Sequence, residues 1–226
     1  LPTPLIVLKT FYTQIQLAGV QEAAFSTAYR VYISSGIALV LGIAIGTLDY
    51  FSETFSDLIN SLFYPTQFIS EAVLTLVAIT IIGLSPAIIY IITVIAILPD
   101  IFVVVQEGLK DIDGKILELG EIYSESSLRT YRHLVLPQLI PYILSGFLRA
   151  HATAWEIVAT VEIFLIAGGL GQLSQNYYQL LNLPKLFSVV LVILSLGLLS
   201  DRAFRIIKKR IDRRYLEDEH QDQRII

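Results

Sequence analysis

ILELGEIYSESSLRTYRHLVLPQLIP, residues 116–141, is charged, rich in serine and carries the dipeptide Leu136-Pro137. Apolar runs flank it on both sides, such as PAIIYIITVIAILPDIFVVVQ at 86–106. Only 16% of the 226 residues are charged against 54% hydrophobic, and the mean hydropathy is +0.67. Soluble domains carry about 25% charged residues, so the contrast is that of a membrane protein with a polar segment between its spans.

Five runs approach the ~20 residues that a helix needs to cross a ~30 Å hydrocarbon core. They lie at about 31–48, 66–83, 86–106, 138–166 and 185–201. The expected fold is all-α and multi-pass, with one transmembrane domain over 1–215, a cytoplasmic loop at 108–137 and a polar tail at 216–226. Only Gly83-Leu84-Ser85-Pro86 joins the second and third spans, which implies a tight antiparallel pair. The tail LEDEHQDQRII reads as solvated and disorder-prone.

Basic residues orient the chain. Lys110, Lys115, Arg129 and Arg132 lie between spans three and four, and Arg202, Arg205, Lys208, Lys209, Arg210, Arg213 and Arg214 follow span five. Two crossings separate these groups, so both lie on the cytoplasmic side and the N-terminus of the chain lies outside. Lys9, Arg30 and Lys185 are the basic residues near the other side. There is no cysteine, which excludes disulfides and thiolate chemistry. Residues 1–10, LPTPLIVLKT, lack the basic start of a signal peptide. The sequence also lacks methionine and reads as missing its N-terminal start.

Within the polar stretch, Asp113 can cap a helix from Gly114. Ile116, Leu119, Ile122 and Tyr123 recur on one face and Glu118, Glu121 and Glu125 on the other. The run Ser124-Glu125-Ser126-Ser127 interrupts it, and a second helix from about Leu128 is expected to stop near Pro137. Such a short amphipathic helix needs its apolar face covered, by this chain's own spans, by the lipid surface or by a soluble partner. Its acidic polar face suits lipid poorly, because interfacial helices favour Lys and Arg there.

This segment resembles the coupling loop of ABC-importer permeases, the inner-membrane components of binding-protein-dependent transport systems with a MetI-like fold. The family pattern has Glu-Ala-Ala, a glycine and a closing Leu-Pro. Aligned on Leu136-Pro137, the glutamate falls on Glu118, the alanines on Leu119 and Gly120, and the glycine on Ser124. The residues 118–124, namely Glu118, Leu119, Gly120, Glu121, Ile122, Tyr123 and Ser124, with Pro137, are therefore the candidate ATPase-coupling element.

LPTPLIVL at 1–8, Ala154-Trp155 with Glu162, Gly169-Leu170-Gly171, and Leu199-Ser200-Asp201-Arg202 are similar to segments of sulfonate-, nitrate- and taurine-type permeases. The resemblance implies five core spans of the type I importer fold, with one further N-terminal span. It implies a pathway formed with a second permease copy, as a homodimer of this chain, in the plasma membrane bilayer. It also implies an extracytoplasmic solute-binding protein and separate ABC ATPase subunits that carry the ATP and Mg, with no cofactor on this chain. No nucleic-acid partner is implied.

The chain lacks its own phosphate-binding loop: Gly114-Lys115 is followed by Ile116 where Ser or Thr is needed. Non-enzymatic transport is the expectation, with an ATP-independent channel or secondary transporter as the alternative. Polar groups at membrane depth line a pathway or pair internally. The candidates are Arg149, His151, Trp155, Glu156 and Glu162 in span four, with Gly169 and Gly171 just after it. Arg149 and Glu156, seven apart, share one helical face, and His151 has no second metal ligand within helical reach. Glu71 and Asp100 lie in spans two and three. Gly36, Gly42 and Gly46 in span one read as helix-packing residues. The segment 167–184 reads either as a re-entrant helix near the outer gate or as an interfacial aromatic belt.

Overall fold

A computed structural model describes residues 2–66, 68–112, 127–165 and 168–222. Every regular element among them is helical. Helix α1, Pro4–Gln14, opens with Pro4 in its first turn, where a missing N–H costs nothing. Helix α2 runs from Ala18–Phe51 over 34 residues, about 51 Å. It begins well before the apolar run at 31–48, because the polar residues ahead of that run are buried against other helices: Thr27 is 0% and Arg30 is 9% exposed.

Helix α4, Glu71–Ile82, fills only part of the second span expected at 66–83, and α3, Glu53–Thr66, precedes it. The two are bent by 98° at their break. Pro65 closes α3 and Ser70 caps α4. With 12 residues, α4 reaches only about 18 Å, less than the bilayer core. The expected span at 66–83 is thus corrected to a bent helix pair. Gly83, at φ 85°, ends α4, a conformation that glycine adopts without the Cβ penalty.

Helix α5, Ala87–Lys110, is the central element. Ile88, Ile89, Ile97 and Ile101 are all fully enclosed. It packs along α2 through glycine notches. A Cβ on Gly42 would strike Ile101, and one on Gly46 would strike Val105. Gly36 faces open space instead, so it does not serve this contact.

After Ser127–Thr130, a π-helical turn at Tyr131–Val135 runs directly into α6, Leu136–Phe164. The expected stop near Pro137 therefore does not occur. Pro137 occupies the first turn of α6, where proline is accommodated. At 29 residues, α6 is about 43 Å long. Gly146 lets Val104 of α5 approach it closely.

Helix α7, Leu170–Gln179, is short, and α8, Leu183–Asp222, is 40 residues long. The helix of α8 continues through 216–222, into the segment that composition marks as a tail. Among the described residues, three stretches are long and apolar enough to cross a membrane: Ala18–Leu48, Ala87–Lys110 and Leu183–Ile211. The α3–α4 pair makes a fourth candidate. Charge keeps α6 out of that set, although it lies in the middle of the bundle with Ala150, Ala154 and Val158 at 0% exposure.

The α2–α5 notches predict a stability effect. Gly42→Ala and Gly46→Ala each lower stability by about 1–3 kcal/mol through overpacking, while Gly36→Ala has no comparable effect. Thermal unfolding of the purified protein in detergent checks this.

Candidate functional site

Glu162 lies near the C-terminal end of α6, facing inward, and has no exposed surface. Its Oε1 accepts from Arg30 Nη1 of α2 at 2.5 Å. Thr27 Oγ1 donates to Glu162 Oε2 at 2.8 Å, and the Gly171 N–H donates to the same oxygen at 3.0 Å. Arg30 Nη1 also donates to the Gly168 carbonyl at 2.7 Å. The Leu170 N–H donates to Thr27 Oγ1 at 2.8 Å. The carboxylate thus meets the first turn of α7, where free N–H groups and the helix dipole favour a negative charge.

The glycines here have steric causes. Gly169 has φ 111°, and a Cβ on it would overlap the Glu162 carboxylate. A Cβ on Gly171 would strike the Ala159 carbonyl. Gly168, at φ 73°, receives a second tether, with its N–H donating to Gln172 Oε1 at 2.6 Å.

A second polar cluster lies further along the same face. His151, 1% exposed, has Nδ1 3.0 Å from Ser35 Oγ and Nε2 2.6 Å from Ser200 Oγ. Tyr32 OH is 3.0 Å from Ser200 Oγ. The imidazole is packed by Phe147 and Phe204, with ring centroids at 5.6 and 4.8 Å. The cluster joins α2, α6 and α8 with each ring nitrogen partnered. Trp155 is 5% exposed, and its Nε1 has no hydrogen-bond partner. It packs in the core beside Ala154 and Val158.

The opposite face of α6 is open. Ser145, Arg149, Ala152 and Glu156 are exposed along one stripe, at steps of four, three and four. Arg149 Nη2 lies 3.4 Å from Asp100 Oδ1 of α5, with the arginine side chain 60% exposed. Lys208 Nζ of α8 donates to Ser145 Oγ at 2.7 Å. Charged groups facing lipid at this depth cost about 2.5–3.5 kcal/mol each, so the stripe is suited to water or to another protein surface.

The sequence candidates therefore divide between two faces of one helix. His151, Trp155 and Glu162 point inward, and Gly169 and Gly171 back the Glu162 carboxylate. Arg149 and Glu156 point outward, on the shared face that their spacing predicts. The coupling candidates Glu118, Leu119, Gly120, Glu121, Ile122, Tyr123 and Ser124 lie outside the described residues, whereas Pro137 is half-buried at the start of α6. Glu71 begins α4, half-buried.

Arg30, Thr27, Ser35 and Ser200 were not legible as site residues. Arg30 reads in the sequence as a flanking charge of span one. The available signal was helical spacing: Thr27, Arg30 and Ser34 share one face of α2.

Comparison with known proteins completes the assignment. The family model for binding-protein-dependent transport system inner membrane components matches residues 38–213. The chain belongs to that family: it is an ABC-importer permease subunit and an inner-membrane protein. It is similar to a probable ABC transporter permease protein of Brucella melitensis, 24% identical over 216 residues, covering 93% of this chain and 86% of the relative. It is also similar to the bicarbonate transport system permease protein CmpB of Synechococcus elongatus, 28% identical over 200 residues, covering 84% and 70%. Its fold matches a chain of the MetNI methionine ABC transporter in an inward-facing conformation. That match has TM-score 0.76 at 18% identity, over 85% of this chain and 96% of that one.

Removing one partner of a buried ion pair leaves an uncompensated charge and costs about 3–5 kcal/mol. Glu162→Gln and Arg30→Met are each expected to lower thermal stability by that order. The double variant Arg30→Met with Glu162→Gln loses less than the sum of the two single changes. Thermal unfolding of the four proteins, read as a double-mutant cycle, checks this.

Proposed function

We propose that this chain forms half of a transmembrane pathway, with a second copy forming the other half and the open stripe of α6 lining it. The observation that carries this reading is the stripe Ser145–Arg149–Ala152–Glu156 on a helix whose other face is packed. A water-filled path between two copies gives those polar groups a solvent that lipid does not.

Separate ATPase subunits, holding ATP and Mg, drive the transport, so this chain hydrolyses nothing itself. The 114–127 segment docks on them and passes their movement to α5 and α6 as a rigid-body displacement. The direct run from Tyr131–Val135 into α6 supports this, because it leaves no flexible joint between that side of the segment and the pathway helix. The clusters of basic residues support a cytoplasmic position for this side, with the N-terminus of the chain outside.

An external binding protein delivers the solute. That solute is small and bears an anionic group of the sulfonate, nitrate or taurine kind. The sequence resemblance supports this class, and a relative described as a bicarbonate permease is of similar chemistry.

The test exploits the absence of native cysteine. Glu121→Cys is crosslinked in native membranes and the adduct identified by mass spectrometry. An adduct with a nucleotide-binding subunit, weakened or shifted by ATP plus vanadate, is the expected result. Free labelling of Glu121→Cys by soluble reagents, with no ATPase captured, overturns the coupling assignment.

A further inference from the structure

The open stripe of α6 has an uneven charge balance. Arg149 is already matched by Asp100 at 3.4 Å. Glu156 is exposed, and no ion pair or hydrogen bond engages its carboxylate among the described residues. It lies seven residues, about 10 Å along the axis, beyond Arg149 toward the outer end of α6. The basic group that could answer it from the same helix is thus committed elsewhere. Arg30 is turned inward to Glu162, and Lys208 is at Ser145.

Resting on the pathway reading above, we propose that Glu156 is a specificity-determining residue. It gives the outer half of the pathway a negative field, which favours solutes bearing a protonated amine or similar cationic group and disfavours simple anions. Within the solute class proposed above, a zwitterion of the taurine kind is then favoured over a bare oxyanion such as nitrate. Twofold pairing of the chain strengthens the effect, because each copy brings its own Glu156 to the same height. Low-dielectric walls concentrate the field in such a passage.

The probe is a thiol at Ala152, which sits on the stripe between Arg149 and Glu156. Ala152→Cys in the assembled transporter is reacted with two methanethiosulfonates, one carrying a trimethylammonium group and one a sulfonate. Each rate is normalised to the same reagent's rate with a small free thiol. The expected ratio favours the cationic reagent by about tenfold or more. Adding the isosteric Glu156→Gln brings the ratio close to one. Adding Asp100→Asn instead releases Arg149 and lowers the ratio too.

Equal normalised rates with Glu156 intact overturn the proposal while leaving the pathway reading in place. A cation preference that persists in Glu156→Gln also overturns it. Absence of reaction with either reagent contradicts the pathway reading, and the proposal falls with it.

Discussion

A carboxylate without exposed surface holds one end of this bundle in register. Glu162 is on α6, its cation Arg30 is on α2, and its remaining acceptor sites take the Thr27 hydroxyl and the Gly171 N–H at the start of α7. Such a pair contributes little net stability over apolar packing, since desolvation offsets much of the attraction. Its effect is on geometry. Only one axial and rotational setting of α6 against α2 satisfies all of these partners at once. The glycines at 169 and 171 follow from it, because side chains there would overlap the carboxylate or the Ala159 carbonyl.

Fixing α6 in rotation fixes what its far side presents. With Glu162, His151 and Trp155 inward, Arg149, Ala152 and Glu156 must face out. One helix thereby carries a buried polar anchor on one side and an exposed polar stripe on the other. The His151–Ser35–Ser200 cluster repeats the anchoring further along α6, tying in α8 as well. The two clusters bracket a core of Ala150, Ala154, Ile157 and Val158 against α2 and α5.

Much of this was legible from the sequence. The apolar runs and low charge gave an all-helical membrane bundle, and the order of weak motifs gave the permease family that the match over 38–213 shows. The seven-residue spacing of Arg149 and Glu156 placed them on one face. Hydropathy failed where helix and apolar run are not the same thing. α2 begins at Ala18 because polar residues at its outer end find protein partners. The run at 66–83 yields only the short α4, which follows α3 at a 98° bend. Pro137 was read as a stop, but a proline in the first turn of a helix costs nothing. The partner of Glu162 was hidden because Arg30 is 132 residues away in sequence, and a single sequence carries no signal of such a contact.

The most direct measurement is a cysteine scan of α6 from 145 to 163 in the assembled transporter, read with a small water-soluble thiol reagent. The account predicts a periodic profile, with reaction at 145, 149, 152 and 156 and protection at 150, 154, 157, 158 and 161. Uniform protection along the stripe, or reactivity without helical period, would contradict it.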